Sequence, residues 1–123
     1  MFIIQYFFAL LGILAGLLTS NFQGAQTKAS DTERKSDINS IYQKLEEHYN
    51  EWGEYPTEDE LVQEYDEQLP GIDPEALVDP NGKNIQDGDY KYSPTSCSAT
   101  GCMLYELSAK LEDGSTYTKI SLN

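Results

Sequence analysis

Between Glu46 and Asp79 the chain has no lysine and no arginine, and its first 27 residues carry no charged side chain. Histidine and tryptophan occur once each, and cysteine twice. These scarcities exclude several classes of function. An acidic surface without basic patches repels phosphate backbones, so a nucleic acid is not an expected partner. No nucleophile motif, H-E-x-x-H, P-loop or dinucleotide fingerprint occurs, which leaves an enzyme reading without support. The lone His48 sits beside an apolar stripe and is expected to pack at its boundary rather than to catalyse. Cys97 and Cys102 are spaced C-x4-C, which is neither the C-x-x-C of a redox centre nor half of a zinc site.

What is present falls into two unlike parts. At 123 residues there is room for one small domain, and the whole formal charge of −13 falls after residue 27. The opening "MFIIQYFFALLGILAGLLTS" is apolar through Leu18 except for Gln5, with Gly12 and Gly16 inside it. As a helix, Met1 to Leu18 would reach ~27 Å, close to a bilayer's hydrocarbon core of roughly 30 Å. A cleaved signal would want a basic residue before this run and a small-x-small site after it. Neither is convincing, so a retained membrane segment is expected, with a cleaved signal as the alternative. Behind such a segment, Cys97 and Cys102 are expected to form a disulfide on the oxidising side of the membrane, the alternative being two reduced thiols.

The stretch 21–52 has no proline, and Gly24 is its only glycine. Phe22, Ala25 and Ala29 continue one face, and Ile38, Ile41, Leu45, Tyr49 and Trp52 then recur every three or four residues. This pattern predicts one helix from near Met1 to about Trp52, ended by Gly53 and kept from resuming by Pro56. Tyr42, Tyr49, Trp52 and Tyr55 are expected in the core, with Trp52 and Tyr55 closing the lower end of the head.

Beyond it, Thr57 and Glu60 form a capping-box pattern ahead of Leu61, Val62 and Tyr65. Asp73-Pro74 starts a brief helical turn, and "DPNG" at Asp79 to Gly82 fits a type I turn. From Asp89 the period becomes two. Tyr90 and Tyr92 share a face, as do Tyr105, Leu107, Ala109 and Leu111. Asp113-Gly114 signals a two-residue hairpin, and Ile120 and Leu122 alternate after it. Three short antiparallel strands cannot stand alone. The expected fold is therefore α+β, with the sheet packed on the amphipathic half of the long helix. The expected organisation is a membrane or filament segment over 1–20 and an extracytoplasmic head over 21–123.

Asp79, Asn81, Asp87 and Asp89 gather hard oxygen ligands in a glycine-containing loop and make a candidate calcium site. The spacing is not that of an EF-hand, and the alternative is a pair of solvated turns. No other cofactor is expected.

Taken in order, "LLGILAGLLTSNF", "AQTKASDTERKSDINSIYQKLEEHYNEWGEYPT" and a sheet placed last resemble a type IV pilin or type II secretion pseudopilin. The matching pieces are Gly12, Ile13, Leu14, Ala15, then Asn21-Phe22, Asp37 to Ile41, Leu45-Glu46, Tyr49, and Gly53 to Thr57. The resemblance implies a pilin-like fold and a structural subunit of a pilus or pseudopilus. It also implies an inner-membrane protein, single-pass with the head outward. Its partners would be other pilin-like subunits through the N-terminal helix, and the assembly machinery. Three departures accompany it. No basic leader ending in Gly precedes the apolar run. The family's Glu at the fifth mature position is replaced by Gln5, or by Ile3 if aligned on G-I-L-A, which fits a minor subunit. The helix-kinking Pro is missing before Asn21. The rival expectation is a membrane-anchored monomeric binding or adaptor domain.

Overall fold

The computed structural model describes residues 24–123 and the bounds of the first helix, α1 (Phe2–Trp52). Contacts divide the chain into two units, Met1–Ser30 and Asp31–Asn123, and the hydrophobic core lies within the second. The apolar run Met1 to Leu18 and Phe22 lie outside the described residues. Among the described residues, no helix is long and apolar enough to cross a membrane.

After α1 come α2 (Glu58–Gln63), α3 (Tyr65–Gln68), a 3-10 turn (Pro74–Leu77) and three strands: β1 (Tyr90–Cys97), β2 (Cys102–Lys110) and β3 (Thr116–Ile120). The strands form one antiparallel sheet in the order β1-β2-β3. The architecture is the expected α+β, a long helix followed by a C-terminal sheet.

The helix ends as its residues dictate. Gly53 takes φ +75°, which only glycine adopts without strain, and its N–H bonds the Tyr49 carbonyl at 2.7 Å. The chain then turns back along the sheet, where Tyr55 and Cys102 exchange backbone bonds of 2.7 and 2.8 Å. Ile38, Ile41 and Leu45 are fully buried, together with Tyr90, Tyr92, Leu107 and Ala109 of the sheet. Burying each of the three aliphatic side chains contributes about 1.5–3 kcal/mol. Thr57 and Glu60 complete the capping box, and Asp73 caps the 3-10 turn.

Several side chains depart from expectation. Trp52 is 67 % exposed: Gly53 ends the helix there, and the core continues through Tyr55 instead. Tyr55 is buried, and Tyr42 and Tyr49 pack against the core, as expected. Val62 faces solvent while its neighbour Leu61 is buried, because the short α2 has only one inner side. Leu111 lies past the end of β2 and is half-buried.

The largest departure is in β3. Ile120 and Leu122 are 67 % and 72 % exposed, while Tyr117 packs on the core. The hairpin is the cause. Gly114 donates to the Leu111 carbonyl at 3.0 Å with φ +86°, and Leu111 donates to the Ser115 carbonyl at 2.8 Å. The loop is thus Glu112-Asp113-Gly114, a turn followed by a left-handed glycine, rather than the two residues Asp113-Gly114. One extra residue shifts the register, pairing Leu107 with Lys119 and Ala109 with Tyr117. A shift of one flips a strand's faces, so Ile120 points outward with Glu106.

Candidate functional site

The loop carrying the candidate calcium ligands is organised around Asp79, which is 4 % exposed. Its Oδ1 accepts the N–H groups of Asn81 and Lys83 at 2.9 and 3.0 Å, and its Oδ2 accepts that of Asp89 at 2.8 Å. Gly88 makes this possible: a Cβ there would stand 2.2 Å from Asp79 Oδ2. Asp89 in turn accepts from Asn81 Nδ2 at 3.2 Å and from Arg34 Nη2 at 3.3 Å. Asp79, Asn81 and Asp89 therefore do come together, and the bonds between them close the loop. The Asp87 backbone joins through its N–H to the Asn84 carbonyl, and its side chain is exposed. Among the described residues, no group of three or more His, Cys, Asp or Glu side chains is placed to hold a metal ion.

Arg34 is a buried cation at this end of the head. Only 2 % exposed, it pairs with Asp31 at 3.0 Å and Glu112 at 3.2 Å as well as with Asp89. Burial alone would lower its pKa, but the bonds to Glu112 and Asp31 outweigh this and raise it. Among the described residues its Nε has no hydrogen-bond partner. One guanidinium thus ties α1 to the 79–89 loop and to the β2–β3 turn.

At the other end, Glu46 lies buried beneath the sheet. Its two oxygens accept the hydroxyls of Tyr55 and Tyr105, each at 2.7 Å, and Asn123 Nδ2 adds a bond of 3.3 Å. Burial first, then this carboxylate, pushes the Tyr55 phenol up to about 12 and raises that of Tyr105 further. Tyr92 donates to the Pro56 carbonyl at 2.7 Å and is also raised by burial. The phenols remain protonated donors, and the network is a structural one.

The disulfide Cys97–Cys102 is formed, joining residues directly opposite each other on β1 and β2. Its loop lies against the end of α1. A Cβ on Gly101 would meet Glu54 Cδ at 2.6 Å, so glycine there makes room for that side chain. Glu54, with His48, Trp52, Glu60, Glu67, Gln68 and Thr100, lines a cavity of about 310 Å³. His48 Nδ1 contacts the Glu54 carbonyl at 2.7 Å and its Nε2 contacts Gln68 Oε1 at 2.9 Å. This places His48 at a boundary, bridging α1, the 53–57 segment and α3.

Gln5, Gly12, Ile13, Leu14, Ala15, Gly16 and Phe22, the expected filament and membrane residues, lie outside the described residues. Sequence reasoning gave Arg34 no role and named Glu46 only within the family pattern, yet both carried a signal. Arg34 lies four residues before Ile38, on the buried stripe itself, and Glu46 falls between Tyr42 and Tyr49 at helical spacing.

No family model, curated protein sequence or solved structure matches the chain.

Proposed function

We propose that this chain is a non-enzymatic structural subunit of a type IV pilus or type II secretion pseudopilus. It is held in the inner membrane through its apolar N-terminal segment before assembly and packed through that segment afterwards. The observation that carries this reading is α1 itself, bounded by Phe2 and Trp52, whose later turns supply Ile38, Ile41 and Leu45 to the head's core. A simple tether needs no such sharing, because a flexible linker would serve. A head whose core includes the last turns of α1 suits a subunit that is joined to its filament through that helix. The disulfide, which belongs to an oxidising compartment, agrees with an outward head. The resemblance in residues 12–57 supplies the filament itself.

The test is substitution of Gly12 and Gly16 by Leu. Small residues let helices approach closely, so the double variant should insert in the membrane normally and enter sheared filaments poorly. Normal incorporation would remove tight helix packing from the account. A second reading, a membrane-anchored monomeric binding or adaptor domain, draws on the cavity beside Trp52. It expects wild-type chain in membranes and none in sheared filaments.

A further inference from the structure

The two edges of the sheet are treated in opposite ways. On β1, the bond from Lys110 N–H to the Asp89 carbonyl fixes which residues face β2, leaving Tyr90, Tyr92 and Pro94 with their backbone groups turned outward. That edge is sealed. Gln86 N–H bonds the Tyr90 carbonyl at 2.8 Å, its side-chain Nε2 bonds the Tyr92 carbonyl at 2.7 Å, and its Oε1 accepts Tyr92 N–H at 2.9 Å. One glutamine amide stands in for a neighbouring strand. Pro94 has no N–H to offer.

On β3 the same parity argument gives the reverse. Leu111 N–H bonds the Ser115 carbonyl and Ser121 N–H bonds the Tyr105 carbonyl, so the odd-numbered residues of β3 face β2. Thr116, Thr118 and Ile120 therefore aim both N–H and C=O away from the sheet, and among the described residues no strand, loop or side-chain amide covers them. Their side chains are all exposed.

We infer that β3 is a docking edge for a second copy of this chain, paired antiparallel about Thr118. Four observations select this occupant. Gly114 to Asn123 contains no Asp or Glu, in a chain of net charge −13, so two copies can approach here without bringing carboxylates face to face. Pairing about Thr118 sets Thr118 opposite itself and Thr116 opposite Ile120, a register in which β-branched side chains meet. The same register sets Lys119 opposite the other copy's Tyr117, and Lys119 Nζ already lies 5.8 Å from its own Tyr117 ring. Finally, Ile120 is an exposed apolar side chain on this edge, and the other copy's Thr116 would stand beside it. An interface of this kind is isologous and closes on itself. It stands whether or not the chain enters a filament.

The experiment uses the full chain in detergent micelles carrying Thr118→Cys, with Ser93→Cys on the sealed β1 side as the collision control. Directly paired residues have Cα atoms about 5.5 Å apart, within disulfide reach. Under mild oxidation Thr118→Cys should form a covalent dimer at least tenfold faster than Ser93→Cys. Adding Thr116→Pro, which removes one outward N–H and spares the β2 ladder, should return the rate to that of the control. Equal rates for the two cysteines would overturn the inference, since contact would then come from elsewhere in the chain. Trapping of a different polypeptide in cells would overturn it too. If the proline variant fails to fold, the comparison of the two cysteine variants decides alone.

Discussion

Arg34 Nη2 stands 3.2 Å from the Glu112 carboxylate, joining the α1 stem to the β2–β3 turn across 78 residues of sequence. The guanidinium is buried while Glu112 keeps 44 % of its side chain exposed, so the cation depends on the anion more than the reverse. Replacing Arg34 by Met removes three ion pairs and lets Asp31, Asp89 and Glu112 rehydrate partly. The expected loss is about 1–3 kcal/mol by urea unfolding, below the cost of breaking a wholly buried pair. Lys44→Met, which breaks only the exposed pair with Glu47, should cost no more than about 0.5 kcal/mol.

Asp37 gives the head a pH dependence with a definite sign. Burial pushes its carboxyl up to about 6, with Glu33, Asp73 and Glu75 adding to the effect and the hydroxyl of Tyr90, at 2.7 Å, opposing it. The folded head therefore holds this proton more tightly than the unfolded chain does. The contribution is fully present below about pH 4 and is lost as pH rises through about 6. Asp37→Asn keeps an acceptor for Tyr90. It should gain about 1 kcal/mol over wild type at pH 7, after allowing for solvent screening, and nothing at pH 4. Urea midpoints of the two proteins across that range give the difference directly.

How much of this was legible in the sequence differs from element to element. Ile38, Ile41 and Leu45 announced the buried face of α1, and Thr57, Glu60, Asp73 and Gly53 announced the caps and the stop, because these depend on neighbours within one turn. The strand parity of β3 was not legible in the same way. Alternation alone favoured Ile120 and Leu122 inside, and only the third loop residue before Ser115 reverses that. Trp52 fits the helical period but lies at the final turn, where the core has moved to Tyr55. The 79–89 loop was legible as a cluster of oxygens. That Asp79 would serve the backbone amides of residues 81, 83 and 89 depends on a tertiary fold of that loop, which composition does not carry.

Gly88 is the residue on which that loop depends most. Gly88→Ala would press a methyl group against Asp79 Oδ2 and Lys83 Cβ, which stand 2.2 and 2.4 Å from the new Cβ position. The Asp79 carboxylate is fixed by three amides and cannot move without releasing them. A loss of about 1–3 kcal/mol is expected, with faster amide exchange at Asn81, Lys83 and Asp89 than elsewhere in the head.

Reduction of Cys97–Cys102 opens a short loop and should lower stability by about 2 kcal/mol in the chain-entropy account. Because Tyr55 pairs with Cys102, the 53–57 segment should loosen together with the 98–101 loop. Cys97→Ser/Cys102→Ser, followed by thermal unfolding and proteolysis mapping, checks both points. Unfolding unchanged within about 0.5 kcal/mol would mean that the flanking strand pairs already hold this end closed.

The most direct test of the proposed filament role is the intact mass, with N-terminal peptide mapping, of native protein from membrane and sheared-surface fractions. The account predicts chains that keep the apolar segment through Leu18 in both fractions. Chains with that segment in the membrane fraction only, or a mature end near residues 20–30, would contradict it.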